Sequence, residues 1–106
     1  MGDLVWLSFS PQAGHEMSGR RPALVLSPRS YNEKTGLALA CPVTSRSKGY
    51  PFEVQLPAGG SITGVVLADQ VKCLDWRARR AELASRASPR TIGEVLSKLG
   101  VILPGV

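Results

Sequence analysis

The segment Gly64-Val65-Val66-Leu67-Ala68-Asp69-Gln70-Val71-Lys72-Cys73-Leu74-Asp75-Trp76 is the longest β-prone run in the chain, and it restricts the fold more than any other stretch. A typical strand has about five or six residues. The run must therefore either bend near Asp69 or form two strands that switch partners. Asp69-Gln70 interrupts its apolar character, and a charge at that point has to be paired, hydrated or aimed into a site.

The rest of the chain supplies partners of the same type. Leu4-Val5-Trp6-Leu7-Ser8-Phe9 reads as a first strand, with Val5, Leu7 and Phe9 on one face and Leu4, Trp6 and Ser8 on the other. Ser10-Pro11 stops it, and a long connection leads to a second strand at about Arg21 to Ser27; loops of that length are usually functional or mobile. One turn of helix around Ser30-Tyr31 and a turn at Asn32 to Gly36 precede a third strand, Leu37 to Cys41. Pro42, which cannot donate to a ladder, ends that strand. Phe52-Glu53-Val54-Gln55-Leu56 alternates as a half-exposed strand, and a short strand is expected around Arg80 to Leu83. Ser88-Pro89 reads as a helix start, with Ile92, Val95, Leu96 and Leu99 at i, i+3, i+4 and i+7, giving an amphipathic helix of about 11 residues ending near Gly100. The expected architecture is mainly β with a C-terminal α-helix, in one domain over 1–106, the sheet curled or closed into a small barrel.

Composition narrows the function classes. The formal net charge of +5 favours an anionic partner: nucleic acid, acidic protein or anionic membrane. Many of the cations gather at Arg20-Arg21 and Arg77-Ala78-Arg79-Arg80, which favours a patch. No apolar run approaches the ~20 residues needed to cross a bilayer, and Met1-Gly2-Asp3-Leu4 lacks the pattern of a signal peptide. The expected location is the cytoplasm, without membrane attachment. Cys41 and Cys73 lie far apart inside apolar runs and read as two buried, reduced thiols.

One histidine and two separated cysteines supply no recognisable metal-ligand set, so no metal and no cofactor are expected. Phosphate-loop, dinucleotide and Gly-x-Ser-x-Gly patterns are also absent. The chemistry-bearing residues concentrate in Gly14 to Ser27. Here a polar loop carrying His15 and Glu16 joins an apolar strand through Arg20-Arg21, whose planar guanidinium donors match a phosphate. Two-histidine RNA cleavage is excluded by count. An arginine can nevertheless stabilise a phosphorane while a carboxylate or hydroxyl moves protons.

Three segments together resemble the MazF/PemK/Kid family of toxin endoribonucleases: Gly19 to Ser27, Ser47-Lys48-Gly49-Tyr50-Pro51-Phe52-Glu53-Val54, and Leu67-Ala68-Asp69-Gln70-Val71-Lys72 with Trp76-Arg77-Ala78-Arg79. The resemblance covers nearly the whole chain in order. It implies a small SH3-like β-barrel, a homodimer, and metal-independent cleavage of single-stranded RNA at a short sequence, leaving 2′,3′-cyclic phosphate and 5′-hydroxyl ends. It also implies a cognate antitoxin with an acidic segment that occupies the RNA groove. Arg21 and Thr44 match the family's catalytic arginine and threonine, and Glu16 matches a loop glutamate implicated in activity. Arg20, His15, Ser45, Lys48, Asp69 and Gln70 are the implied RNA-binding residues. Arg20 stands where related chains carry histidine, so the general acid and base are left unassigned. The competing readings are a non-catalytic RNA-binding barrel and a gyrase-poisoning toxin on the same fold.

Overall fold

The computed structural model describes residues 1–9 and 19–104. The elements follow in the order β1 (Asp3–Ser8), β2 (Arg20–Val25), α1 (Arg29–Thr35), β3 (Leu37–Thr44), β4 (Glu53–Gln55), β5 (Val65–Leu67), a 3₁₀ turn (Ala68–Gln70), β6 (Lys72–Asp75), β7 (Glu82–Arg86) and α2 (Pro89–Ile102). All pairings are antiparallel, and hydrogen-bonded neighbours run β4-β5-β3-β2-β1-β7, with β6 also on β3. The mainly-β class with a C-terminal helix is as expected. Among the described residues β4 and β7 stay at the two ends of the path, so the sheet is not closed into a barrel.

The long run bends at Asp69, and both of its halves lie along β3. Val66 and Val65 sit opposite Val43 and Thr44, while Lys72 to Asp75 run opposite Ala40 to Leu37. The 3₁₀ turn fills the interval between the two ladders. This arrangement also explains why Pro42 does not end β3, contrary to the expectation. The amide of Leu26 donates to the Leu39 carbonyl, and the Leu39 amide donates to Ser27 Oγ, so Leu39 faces the β2 side. Backbone direction alternates along a strand, which turns the Pro42 nitrogen toward the opposite edge, where the 3₁₀ turn interrupts the ladder. The missing donor costs no ladder bond there.

Period-two alternation buries the sheet on both sides. Leu4, Leu24, Leu26, Cys41 and Val43 pack with Val54, Val66 and Val95, while Val5, Leu7, Phe9, Ala23, Val25, Ala38 and Ala40 form the other cluster with Leu74. Helix α2 covers the first cluster. Its Ser88 Oγ accepts from the Thr91 amide at 3.1 Å, an N-cap followed by proline in the first turn. Thr91 and Val95 are buried and Leu99 packs on the cluster, whereas Leu96, expected inward, is exposed. The helix runs through Gly100 to Ile102, beyond the expected end.

Three further expectations are corrected. Helix α1 spans Arg29–Thr35 and absorbs most of the residues read as a turn, ending where Gly36 adopts φ +73° and its amide donates to Asn32 O. Strand β7 begins two residues later than expected because Arg80 takes φ +56° in the preceding turn. Cys73 is exposed on β6, since the alternation that buries Leu74 turns its neighbour outward; Cys41 is buried as expected.

Candidate functional site

Strand register brings Arg21 and Thr44 together. β2 and β3 pair Val25 with Ala40, Leu24 with Cys41 and Ala23 with Pro42, and continuing that register by two residues sets Arg21 opposite Thr44. Facing residues on neighbouring antiparallel strands share a side of the sheet. Both line a cavity of about 520 Å³ with Ser45, Arg46 and Lys48 from the loop after β3, Tyr50, Phe52 and Glu53 leading into β4, and Leu67, Asp69 and Gln70 at the bend.

The wall chemistry is mixed but predominantly cationic, with Arg21, Arg46 and Lys48 against Asp69 and Glu53. Thr44 Oγ1 accepts from the Arg46 amide at 3.2 Å, leaving its hydroxyl proton to be given elsewhere. Gln70 Oε1 is buried without a hydrogen-bond partner among the described residues. Glu53 is held below its ordinary value of 4.5, first by the Lys48 backbone amide and then by Ser47, Gly49 and Tyr50. Behind the bend, burial and then the charge of Asp69 push the Cys41 thiol up to about 12. That thiol stays protonated and donates weakly to Ala68 O at 3.8 Å. No group of three or more His, Cys, Asp and Glu side chains suited to a metal occurs among the described residues.

A family profile described as PemK-like, MazF-like toxin of type II toxin-antitoxin system matches residues 1–103. The chain belongs to this family. It is similar to the endoribonuclease toxin MazF of Escherichia coli strain K12, 50% identical over 103 residues that cover 97% of this chain and 92% of that one. Among solved structures, MazF (Form-I) from Deinococcus radiodurans matches with a TM-score of 0.92 at 64% identity, over 96% of this chain and 93% of that one. The MazE-MazF complex (Form-II) from the same organism matches at TM-score 0.86 and 58% identity, covering 96% and 91% of the two chains.

Within this MazF-like fold, Arg21, Thr44, Ser45, Lys48, Asp69 and Gln70 all meet in the one cleft. Arg20 does not line it. Its guanidinium donates to Glu82 Oε1 at 2.6 Å, to the Arg80 carbonyl at 2.7 Å and to Ser8 Oγ at 3.3 Å, fastening the start of β2 to the β6–β7 turn. His15 and Glu16 lie outside the described residues. Tyr50, Phe52, Glu53 and Leu67 are cleft residues that reading for cations and hydroxyls did not single out. All four lie in the segments Ser47 to Val54 and Leu67 to Lys72 that carry the family resemblance, and Phe52 and Glu53 also open the alternating strand. The basic run after Trp76 is partly engaged elsewhere, with Arg77 stacked over Trp76 at 4.9 Å and Arg79 Nη1 donating to Ser8 O at 2.9 Å. Trp76 itself packs against the core and donates its indole N–H to Asn32 O, while Trp6 is partly exposed. No helix among the described residues is long and apolar enough to cross a membrane.

Proposed function

We infer that this chain is the toxin of a type II toxin–antitoxin module and acts as an endoribonuclease on single-stranded RNA, with the Arg21–Thr44 cleft as its reacting centre. The observation that carries this reading is the convergence of a strand-anchored guanidinium and a hydroxyl in one cationic cleft, on a chain half identical to an endoribonuclease toxin. The nucleophile is the RNA's own 2′-hydroxyl. It attacks the adjacent phosphorus, the bond to the 5′-oxygen breaks, and the products carry a 2′,3′-cyclic phosphate and a 5′-hydroxyl. Arg21 stabilises charge on the phosphorane oxygens, and Thr44 donates to the same centre. Lys48 and Arg46 hold flanking phosphates, while Ser45, Asp69 and Gln70 address base edges. Glu16 joins Arg21 and Thr44 as a catalytic group and His15 contacts RNA, with the general acid and base unassigned because Arg20 stands in place of the family histidine. Arg20, fastened to Glu82 outside the cleft, contributes only long-range charge to RNA binding.

The working unit is a homodimer of single-domain chains in the cytoplasm, its groove blocked by the acidic segment of a MazE-like antitoxin. The test is incubation of the purified protein with a long defined RNA in EDTA, followed by mapping of both new ends. Cuts at one short sequence with cyclic phosphate ends are expected, and an all-DNA strand should stay intact. Binding without cleavage would replace this reading with the non-catalytic barrel. Light scattering at micromolar concentration checks the assembly, and a monomer with full specific activity would refute the homodimer as the working unit.

A further inference from the structure

A cleft that takes a polyanion is weakened by carboxylates, yet beside Asp69 at the bend its wall holds Glu53 at the start of β4. Its surroundings remove the conflict. Oε1 accepts from Ser47 Oγ at 2.8 Å and from the Gly49 amide at 3.1 Å, and Oε2 accepts from the Lys48 amide at 2.9 Å. Gly49 adopts φ +73°, a conformation open to glycine, in the turn that wraps this loop around the carboxylate. The Glu53 amide closes the ring by donating to Tyr50 O at 3.1 Å. From the other side, Lys98 of α2 donates through Nζ to the carbonyls of Pro51 and Glu53, so the helix pins the strand that carries the carboxylate. Glu53 spends its charge on the loop backbone, which leaves the loop's side chains to the cleft. Those are the Lys48 ammonium, 5.9 Å from the Tyr50 ring centre, and the Tyr50 ring itself, 61% exposed.

We propose that Glu53 is a positioning residue for RNA: its carboxylate fixes the Ser47–Tyr50 backbone so that Lys48 and Tyr50 form the phosphate- and base-contacting wall of the cleft, and substrate affinity depends on it while the chemical step does not. A phosphate meets the ammonium and an unstacked base meets the ring, two contacts that a mobile loop would have to order on binding. Arg21 and Thr44 sit on β2 and β3, outside the clamped loop, and keep their register without it. This proposal rests on the endoribonuclease reading.

The test compares Glu53→Gln with the unaltered chain by steady-state cleavage and by anisotropy of a labelled 2′-O-methyl RNA, which carries no free nucleophile. A carboxamide offers one acceptor and sets an N–H₂ group against a donor. KM and the dissociation constant should therefore rise about tenfold, with kcat within about twofold. Ser47→Ala, which removes a single donor to Oε1, should move both in the same direction by about threefold. Lys48→Met should weaken binding alone and add little in the Glu53→Gln background, because the clamp acts through Lys48. The proposal is overturned if KM is unchanged, if kcat falls at constant KM, or if the two substitutions multiply independently. Should the unaltered chain cut no RNA, the endoribonuclease reading fails. The anisotropy comparison still decides the clamp.

Discussion

Replacing Gly64 with alanine should damage stability and catalysis together, for a reason visible in the backbone. Gly64 adopts φ +113°, and a Cβ built there would lie 2.2 Å from Thr44 O, 2.9 Å from Thr44 C and 3.1 Å from Ser45 Cα. Gly64 cannot simply retreat, since its carbonyl accepts from the Leu56 amide at 2.9 Å and from Gln55 Nε2 at 3.1 Å. A non-glycine residue in this region of φ costs about 1–3 kcal/mol. Pushing two backbones apart in a packed sheet costs about 1–3 kcal/mol more. Together these remove about 2–6 kcal/mol from a total of about 5–15 kcal/mol. For a chain of this size that lowers Tm by roughly 10–30 °C. The atoms that must move belong to Thr44 and Ser45, and a misplacement of about 1 Å at a reacting group costs about 100-fold in rate. Circular-dichroism melts should be paired with cleavage assays at a temperature where both proteins are folded. Gly93→Ala is the control: Gly93 lies in α2 with open space around it, and alanine there should be neutral or stabilising by up to about 1 kcal/mol. A Gly64→Ala protein that melts within about 5 °C of the parent would refute the close approach of β5 to Thr44.

Arg21→Ala and Thr44→Ala should each lower kcat by about 100-fold or more while shifting Tm little; a variant with parental turnover would remove that residue from the reacting centre. The Glu53 carboxylate is held below 4.5 by its amide partners, so its hold on the loop is complete above that pH and is lost as the pH falls through the lower folded value. Amide NMR signals of Lys48 and Gly49 should titrate together with a midpoint under 4.5, against the fixed cations Arg46, Lys48 and Lys98 and with Asp69 across the cleft; a midpoint at or above 4.5 would contradict the clamp. Iodoacetamide at pH 8 should label exposed Cys73 and spare Cys41, whose thiol is buried and raised to about 12, with a second equivalent entering only on denaturation. Labelling of Cys41 in the native protein would show that the core at the bend opens.

Local chemistry was sufficient wherever the governing contact lies within a few residues. Ser88-Pro89 specifies a helix start because capping is settled between Ser88 and Thr91, and the alternation in β1 assigns Val5, Leu7 and Phe9 to one face because a pleat turns side chains over every residue. The break at Asp69-Gln70 marks where the run changes, while the choice between a bend and a switch of partners is made only by β5 and β6 both lying on β3. The sequence also carried the family pattern, and so pointed to Arg21, Thr44 and the bend residues before any geometry. Tertiary structure decided the features that depend on partners distant along the chain. Pro42 stays inside β3 only because a 3₁₀ turn lies along the edge that needs no donor, and Cys73 is exposed because of how β6 lies on β3. Arg20 and Arg21 are adjacent and chemically alike, yet one is fastened to Glu82, 62 residues away, and the other lines the cleft. Glu53 reads only as one residue of a half-exposed strand until the loop before it folds back. Its role depends on three donors that only the folded backbone aims at one carboxylate.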